Sequence, residues 1–264
     1  MGKFLGVDCG GTSLRLGIVD SEGNLTQTKK IPSPLKTNPQ SFAENIKGEV
    51  GDEKFEGIGI GVPGPLDIEK GLILPSSNLA NNMPLEILTQ FKSLFRTKVV
   101  MDRDAIVALM GEAWKGAAVG CKNVVLLTLG TGVGGAVMID GEIDRGKNGK
   151  AGEIGHMIID SESEKQCGLG HRGCLEAMIN SSDELDDISE FLGIGLANIA
   201  SIFNPEKIII GGGKVAIGDF LPKALEIMGQ NGIKSAVDEI VVEYAKLDEW
   251  SGVYGAAKLV IDKQ

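Results

Sequence analysis

Two glycine-rich segments, far apart in the chain, contain the residue types that bind phosphate. Residues 8–12 read Asp-Cys-Gly-Gly-Thr, and residues 130–135 read Gly-Thr-Gly-Val-Gly-Gly. Glycine lets the backbone approach an anion closely, and successive N–H groups can surround phosphate oxygens. Asp8 could also orient a Mg²⁺ ion through water, because this ion keeps much of its hydration shell. The simpler alternative is that both segments are only the tight turns of β-hairpins.

The second segment also has the glycine spacing of a dinucleotide-binding turn. Such a turn must open a helix, whereas residues 136–139 read as a strand that ends at Asp140-Gly141. The dinucleotide interpretation therefore fails. Two hairpin turns, one from each half of the chain, that hold the phosphates of one nucleotide fit the pattern better.

Three polar side chains are candidates for chemistry on hydroxyl groups. Asp104 lies at the predicted start of a helix, where it is either a general base aimed at a substrate hydroxyl or a helix N-cap. Glu153 and His156 lie three residues apart beside glycines. They could hydrogen-bond vicinal hydroxyls of a sugar.

Both histidines of the chain lie near two of its four cysteines. His156, Cys167 and Cys174 offer three ligands of the kind that zinc prefers, with His171 as a candidate fourth. The alternative is that two unrelated cysteines fall in one glycine-rich loop.

The order of predicted elements is repeated in the two halves of the chain. Apolar runs predict strands at residues 4–8, 14–19, 58–62, 124–129, 136–139 and 207–210. Apolar residues at helical spacing predict helices at 84–95, 104–115 and 187–203, and small residues predict another at 250–259. The repeated order of hairpin, helix, strand and helix predicts two α/β lobes of similar plan, each presenting a glycine turn.

Composition excludes several classes of protein. A formal net charge of −10 leaves no basic stripe for nucleic acid or an anionic membrane surface. The uncharged stretch at residues 191–205 is shorter than the roughly 20 residues that a membrane span needs. An acidic residue as early as Asp8 argues against a signal peptide, so the four cysteines favour a reducing cytoplasm over disulfides.

Together these segments resemble the ROK (repressor, ORF, kinase) family of sugar kinases. The matching segments follow the family's order along nearly the whole chain, at residues 8–12, 59–64, 104–105, 129–135, 151–156, 173–176 and 204–213. The resemblance implies an α/β fold of the two-lobed actin-like ATPase (ribonuclease H-like) type, with a mixed sheet flanked by helices in each lobe and a cleft between the lobes. We expect an N-terminal lobe of residues 1–103 plus about 249–264, and a C-terminal lobe of residues 104–248.

The resemblance also implies ATP-dependent transfer of the γ-phosphoryl group to the 6-hydroxyl of a hexose, most often glucose, with Asp104 as general base. The nucleotide and its phosphates would be bound by Asp8, Gly10, Gly11, Thr12, Gly130, Thr131, Gly132, Gly212 and Gly213. The sugar would be held by Gly64, Asn78, Arg103, Asp104, Glu153, His156 and Glu176. The implied cofactors are Mg²⁺ with ATP and a structural Zn²⁺, and the implied assembly is a homodimer. No nucleic acid or membrane partner is expected.

Three departures from the family pattern affect these expectations. Arg103 stands where the family commonly has Asn, which favours an anionic or differently decorated sugar. Leu169 replaces one cysteine of the family's Cys-x-Cys-Gly-x-x-Gly-Cys zinc loop, so that zinc is either kept through His171 or water, or lost. The stretch after Glu176 is shorter than in the family, so we expect a trimmed second lobe.

The sequence leaves three candidate functions. A glucokinase-like hexose kinase is the leading hypothesis, with N-acetylmannosamine or N-acetylglucosamine as the alternative substrate. A sugar-responsive transcriptional regulator would need an N-terminal helix-turn-helix segment, whereas the first predicted strand here begins almost at once. A catalytically weak sugar-binding protein is suggested by Arg103, by Ile106 in place of a second family Asn, and by the shortened lobe.

Overall fold

The computed structural model describes residues 2–75 and 83–263, so Asn78 lies outside the described residues. The strands are β1 (Lys3–Cys9), β2 (Ser13–Asp20), β3 (Leu25–Pro32), β4 (Gly57–Val62), β5 (Leu66–Asp67), β6 (Leu72–Ile73), β7 (Leu85–Glu86), β8 (Lys98–Arg103), β9 (Val124–Leu129), β10 (Val133–Ile139), β11 (Glu142–Ile143), β12 (Lys207–Gly211) and β13 (Val241–Tyr244). The α-helices are α1 (Phe42–Val50), α2 (Ile87–Phe95), α3 (Asp104–Lys115), α4 (Leu175–Ile179), α5 (Leu185–Phe203), α6 (Leu221–Asn231), α7 (Lys234–Val237) and α8 (Ser251–Ile261).

The chain divides into two compact units. Unit 1 comprises Met1–Val119 and Trp250–Gln264, and unit 2 comprises Gly120–Glu249. Their main sheets have the same plan, with strand order β3-β2-β1-β4-β8 in unit 1 and β11-β10-β9-β12-β13 in unit 2. In each sheet a three-strand antiparallel meander is extended by two strands parallel to the first strand of the unit. This confirms the predicted pair of α/β halves with mixed sheets.

Alternation along β1 places two different layers on the two faces of the unit 1 sheet. Leu5 and Val7 contribute to the core that includes Phe42 of α1 and Phe91 of α2. Phe4, whose side chain points the other way, packs with α8. Because successive side chains of a strand face opposite sides, α1 and α2 cover one face and α8 covers the other. The core of unit 2 is built in the same way from β9, β10, β12 and the long helix α5.

Helix α8 makes backbone contact with both the sheet and α3 of unit 1. A Cβ atom at Gly6 would lie 2.2 Å from the carbonyl oxygen of Val253, and one at Gly59 would lie 1.7 Å from that of Ala256. On the helix itself, a Cβ atom at Gly255 would lie 1.6 Å from the carbonyl oxygen of Val107 in α3. Only glycine permits approaches this close, so the small residues of the C-terminal segment determine where α8 packs.

Two features of unit 1 differ from the sequence-based expectations. A helix was expected from Pro84, but residues 85–86 pair with β6 and α2 begins at Ile87. The expectation was wrong there because tertiary strand pairing overrode a local helical signal. The first boundary was expected at residue 103, whereas α3 packs on α8, and unit 1 extends to Val119.

Within residues 2–75 and 83–263, no helix is both long enough and apolar enough to cross a lipid bilayer.

The packing of α8 generates a paired prediction. Gly255→Ala should lower the free energy of unfolding by about 1–3 kcal/mol or more, because two backbones must move apart. Gly48→Ala in α1, where an added Cβ meets nothing within 4 Å, should raise it by about 0.5–1 kcal/mol through the lost flexibility of glycine. Thermal and urea denaturation of both variants would measure the difference. Similar shifts of the same sign in the two variants would contradict the packing described.

Candidate functional site

The glycine turn of unit 1 is the tip of the β1–β2 hairpin. The N–H of Gly10 donates to the carbonyl of Ser13 across a distance of 2.9 Å, which closes the turn. Thr12 is exposed, and its carbonyl accepts from the N–H of Ser33 at 3.0 Å. The hairpin expected from the sequence is therefore present, and its tip exposes backbone and one hydroxyl, as a phosphate-binding turn requires.

Asp8 lies near the end of β1, two residues before Gly10 of this turn. Its Oδ2 is 3.5 Å from a guanidinium nitrogen of Arg15, the residue opposite it on β2. A Cβ atom on Gly252 of α8 would lie 2.4 Å from Cγ of Asp8. Burial, reinforced by the negative charge of Asp104 and partly offset by Arg15, raises the pKa of Asp8 to about 7.

Asp104 is the first residue of α3, and β8 runs into this helix without a loop. Its Oδ1 accepts from the N–H of Ala105 at 2.8 Å, and the side chain is half-buried. The N-cap residue is Arg103, whose side chain makes no capping hydrogen bond. Asp104 is therefore the first helical residue and not the N-cap, and its negative charge raises the pKa of Asp8; its role as general base stays a prediction.

A buried carboxylate joins the helix that carries Asp104 to α8. Glu112 of α3 is fully buried; its Oε1 accepts from the hydroxyl of Ser251 at 2.6 Å. Its Oε2 accepts from the N–H of Ala117 at 2.6 Å, just beyond the end of α3. Ser251 precedes Gly252, which contacts Asp8, so this pair links the positions of both acidic residues. Neither Glu112 nor Ser251 belongs to a motif that the sequence alone singles out.

The other residues of unit 1 assigned to the sugar are only partly described. Arg103 is buried at the end of β8, with its backbone N–H donating to Asp102 at 2.9 Å. Gly64 lies in an exposed turn after β4 with φ of +93°, a conformation that favours glycine. Their contacts with a sugar stay predictions, as does that of Asn78.

The glycine turn of unit 2 is the tip of the β9–β10 hairpin and mirrors that of unit 1. The N–H of Gly130 donates to the carbonyl of Gly132 at 2.9 Å, and Thr131 is exposed. Glu176 lies against this turn, since its Oε2 accepts from the N–H of Val133 at 2.9 Å. The structure thus places Glu176, which was assigned to a sugar hydroxyl, beside a residue that follows the predicted phosphate turn.

Glu153 and His156 lie on a segment that packs against the start of β10. A Cβ atom at Gly155 would lie 2.0 Å from the carbonyl oxygen of Val133. Glu153 is exposed and His156 half-buried. The turn, Glu176 and this segment are therefore gathered at one end of the β9–β10 hairpin.

A group of three candidate metal ligands lies beside this segment. Ligand atoms of His156, Cys167 and His171 all lie within 4.8 Å of one another, and Nδ1 of His156 is 3.8 Å from Sγ of Cys167. Cys174 lies next to Cys167 and has a raised pKa, chiefly through burial and in part through the Cys167 thiol. Leu169, which occupies the position of the missing cysteine, is exposed.

Gly212 and Gly213 come directly after β12, which is the strand that pairs with β9. Gly212 has φ of +95°, and a Cβ atom there would lie 2.3 Å from the carbonyl oxygen of Leu129. The segment expected near the adenosine thus packs directly on the residue before the phosphate turn. Arg15 and Lys214, which follow or flank the two glycine turns, were missed by the sequence analysis. The strand pairing of residue 15 with Asp8 could have been inferred from the register of a tight hairpin.

The raised pKa of Asp8 predicts a pH dependence of stability. The folded protein keeps a proton up to about pH 7 that an unfolded aspartate, with a pKa of 3.8, releases earlier. The contribution of Asp8 to the free energy of unfolding should therefore fall as the pH rises from about 4 to about 7. The free energy of unfolding of Asp8→Asn should rise relative to that of the wild type by up to about 4 kcal/mol across that range. Urea denaturation of the ligand-free protein at a series of pH values would measure this.

Asp67 in the same unit provides the control for this experiment. Its pKa is lowered, mainly by a hydrogen bond from the N–H of Lys70. Asp67→Asn should therefore show no gain over the wild type as the pH rises. Parallel pH profiles for Asp8→Asn and the wild type would contradict the assigned environment of Asp8.

Comparison with known proteins places this geometry in a family. The model of the ROK family matches residues 4–183 and 179–263. A glucokinase from Halalkalibacterium halodurans is 30% identical over 97% of this chain and 94% of its own length. A ROK family glucokinase from Streptomyces griseus, solved in complex with glucose and AMPPNP, superposes with a TM-score of 0.84 at 26% identity, covering 98% of this chain and 99% of that one.

The family also contains regulators. A xylose repressor from Caldicellulosiruptor bescii is 31% identical over 78% of this chain and 62% of its own length. The two stretches matched by the family model meet at residues 179–183, where the sequence analysis expected a shortened segment. Since these matches cover nearly the whole chain and include both glycine turns, the protein belongs to the ROK family.

Proposed function

We propose that this protein is an ATP-dependent hexose kinase that phosphorylates the 6-hydroxyl of its sugar, with glucose as the first candidate. The observation that carries the proposal is the placement of two carboxyl groups in unit 1, Asp104 as the first residue of α3 and Asp8 two residues before the glycine turn, close enough that the charge of Asp104 raises the pKa of Asp8. A half-buried carboxylate at a helix N-terminus, next to a turn suited to phosphate, has the parts that phosphoryl transfer needs. The similarity to glucokinases supports the same reaction class.

In this reaction the residues mainly position reactants and balance charge. The oxygen of the sugar hydroxyl forms a bond to the γ-phosphorus of ATP, the bond from that phosphorus to the bridging oxygen of ADP breaks, and Asp104 takes the hydroxyl proton. Mg²⁺, when bound with the nucleotide, would neutralise charge on the phosphates. Asp8 fits a role in holding it through water, because a cation there would offset the repulsion between the two carboxylates.

Unit 2 contains a glycine turn of its own and candidate partners for sugar hydroxyls. Nδ1 of His156 faces Cys167, which leaves Nε2 for a hydroxyl group. Glu153 is close in sequence and exposed, so it could accept from the neighbouring hydroxyl. Arg103 departs from the family pattern, and the N-acetylhexosamines therefore stay the alternative substrates.

The main test replaces the base without changing its shape. Asp104→Asn should lower kcat for the preferred sugar by several orders of magnitude, because no group then accepts the hydroxyl proton. A coupled ADP-release assay with Mg·ATP and a panel of hexoses, N-acetylhexosamines and sugar acids would measure this and identify the substrate. Unchanged melting temperature and Mg·ATP affinity in the variant would show that the loss is catalytic. A variant that keeps wild-type turnover would contradict the assignment of the base.

We further propose that the cluster beside His156 holds a structural zinc ion. The residues fit this metal, since one thiol and two imidazoles converge within 4.8 Å, and Cys174 lies next to Cys167 as a fourth candidate. His171 would thereby take over from the cysteine that Leu169 replaces. A bound zinc ion would tie the loop after residue 157 to His156 and hold the imidazole in one orientation.

Metal analysis tests this proposal directly. The wild type should contain about one zinc ion per chain, and Cys167→Ser and His171→Ala should each lose most of it and melt at a lower temperature. Cys121→Ser is the matched control, because Cys121 is a partly buried thiol outside the group. Metal-free wild-type protein, or equal zinc content in all three variants, would show that the cluster does not bind zinc.

Cytoplasmic location and assembly as a homodimer stay predictions.

A further inference from the structure

The short connection between α4 and α5, residues 180–184, contacts the glycine turn of the β9–β10 hairpin and Lys214, the residue that follows Gly212 and Gly213. At its start, the side-chain amide of Asn180 donates to the carbonyl of Thr131 at 2.9 Å. Farther along, Lys214 Nζ donates to Oδ1 of Asp183 at 3.0 Å and to the carbonyl of Ser182 at 3.4 Å. The two stretches matched by the family model meet in this region, at residues 179–183.

Lys214 lies in the first residues after the Gly212-Gly213 turn. This turn packs on the carbonyl of Leu129, directly before the Gly130–Thr131 turn. These contacts therefore connect two segments of unit 2. Residues 180–184 link Thr131 to Lys214, and Gly212 links the Lys214 segment back to Leu129. Lys214 thus lies where the Gly130–Thr131 turn and the Gly212–Gly213 turn, both suited to a nucleotide, come together.

The partners of this ion pair differ greatly in exposure. The side chain of Lys214 is only 13% exposed, whereas that of Asp183 is 87% exposed. An ion pair with so exposed a carboxylate contributes about 0–1 kcal/mol, because water and salt screen it. A phosphate oxygen with more negative charge could thus replace Asp183 at little cost, while the buried stem keeps the ammonium near the turns.

We propose that Lys214 binds a phosphate group of the nucleotide, and that Asp183 holds its ammonium group in place while no nucleotide is bound. This inference rests on the proposed kinase function and adds a cation to the nucleotide site of a chain with net charge −10. Asn180 has a separate role, since its amide fixes the backbone of the phosphate turn. The glycine turns contribute only neutral N–H groups to the phosphates, and Lys214 would supply the charge that these groups lack.

Calorimetric titration with Mg·ADP and with adenosine tests the proposal without any sugar. Lys214→Met should bind Mg·ADP about tenfold or more weakly, because a charge-assisted hydrogen bond is lost. Its affinity for adenosine should be unchanged, and its Mg·ADP affinity should depend less on salt concentration than that of the wild type. Asp183→Asn should bind Mg·ADP at least as tightly as the wild type, since it removes a competitor for the ammonium.

Lys223→Met provides the matched control. Lys223 on α6 forms a similar pair with Asp186, at 2.9 Å, and should affect neither ligand. Equal weakening for adenosine and Mg·ADP in Lys214→Met, or an equal loss of Mg·ADP affinity in Asp183→Asn, would show that the pair only holds the fold and would overturn the proposal. A wild-type protein that binds neither ligand would instead overturn the proposed function itself, and this inference with it.

Discussion

Close backbone contact between α8 and the rest of unit 1 is the constraint on which the acidic site depends. Gly6, Gly59 and Gly255 let the helix approach until main chains touch, and no larger residue could occupy these positions without separating the layers. Because α8 contacts Asp8 through Gly252 and is joined to α3 through the Ser251–Glu112 hydrogen bond, the last helix of the chain helps to position residues from its beginning and middle.

Unit 2 has the same sheet topology, but different contacts position its candidate site residues. Its turn and its candidate sugar residues are brought together by Gly155, which packs on Val133, and by Glu176, which accepts from the N–H of Val133. Here a single residue at the start of β10 contacts both neighbours. The loop that follows is closed by main-chain hydrogen bonds between residues 157–159 and 173–175, which brings the candidate metal ligands to the same end of the sheet.

Electrostatics give the two glycine turns a common design. In each unit a cation lies near a glycine turn, Arg15 near the β1–β2 hairpin tip and Lys214 next to Gly213, and each of these cations is held by a carboxylate. The carboxylates differ, since Asp8 is largely buried and Asp183 largely exposed. Burial makes the charge of Asp8 costly and thereby sensitive to pH and to bound cations. Exposure makes the Asp183 pair weak and easily exchanged.

Local patterns are sufficient to predict both hairpins, α3 over Asp104–Lys115 and the repeated α/β plan, because these features follow from periodicity and from the placement of glycines. Features that depend on contacts between distant residues are visible only in the folded chain. Strand pairing moved the start of α2 to Ile87. Likewise, only the folded loop shows that Leu169 faces solvent while His171 joins Cys167. The pairing of Lys214 with Asp183 has no local signal, because chain folding alone brings these residues together.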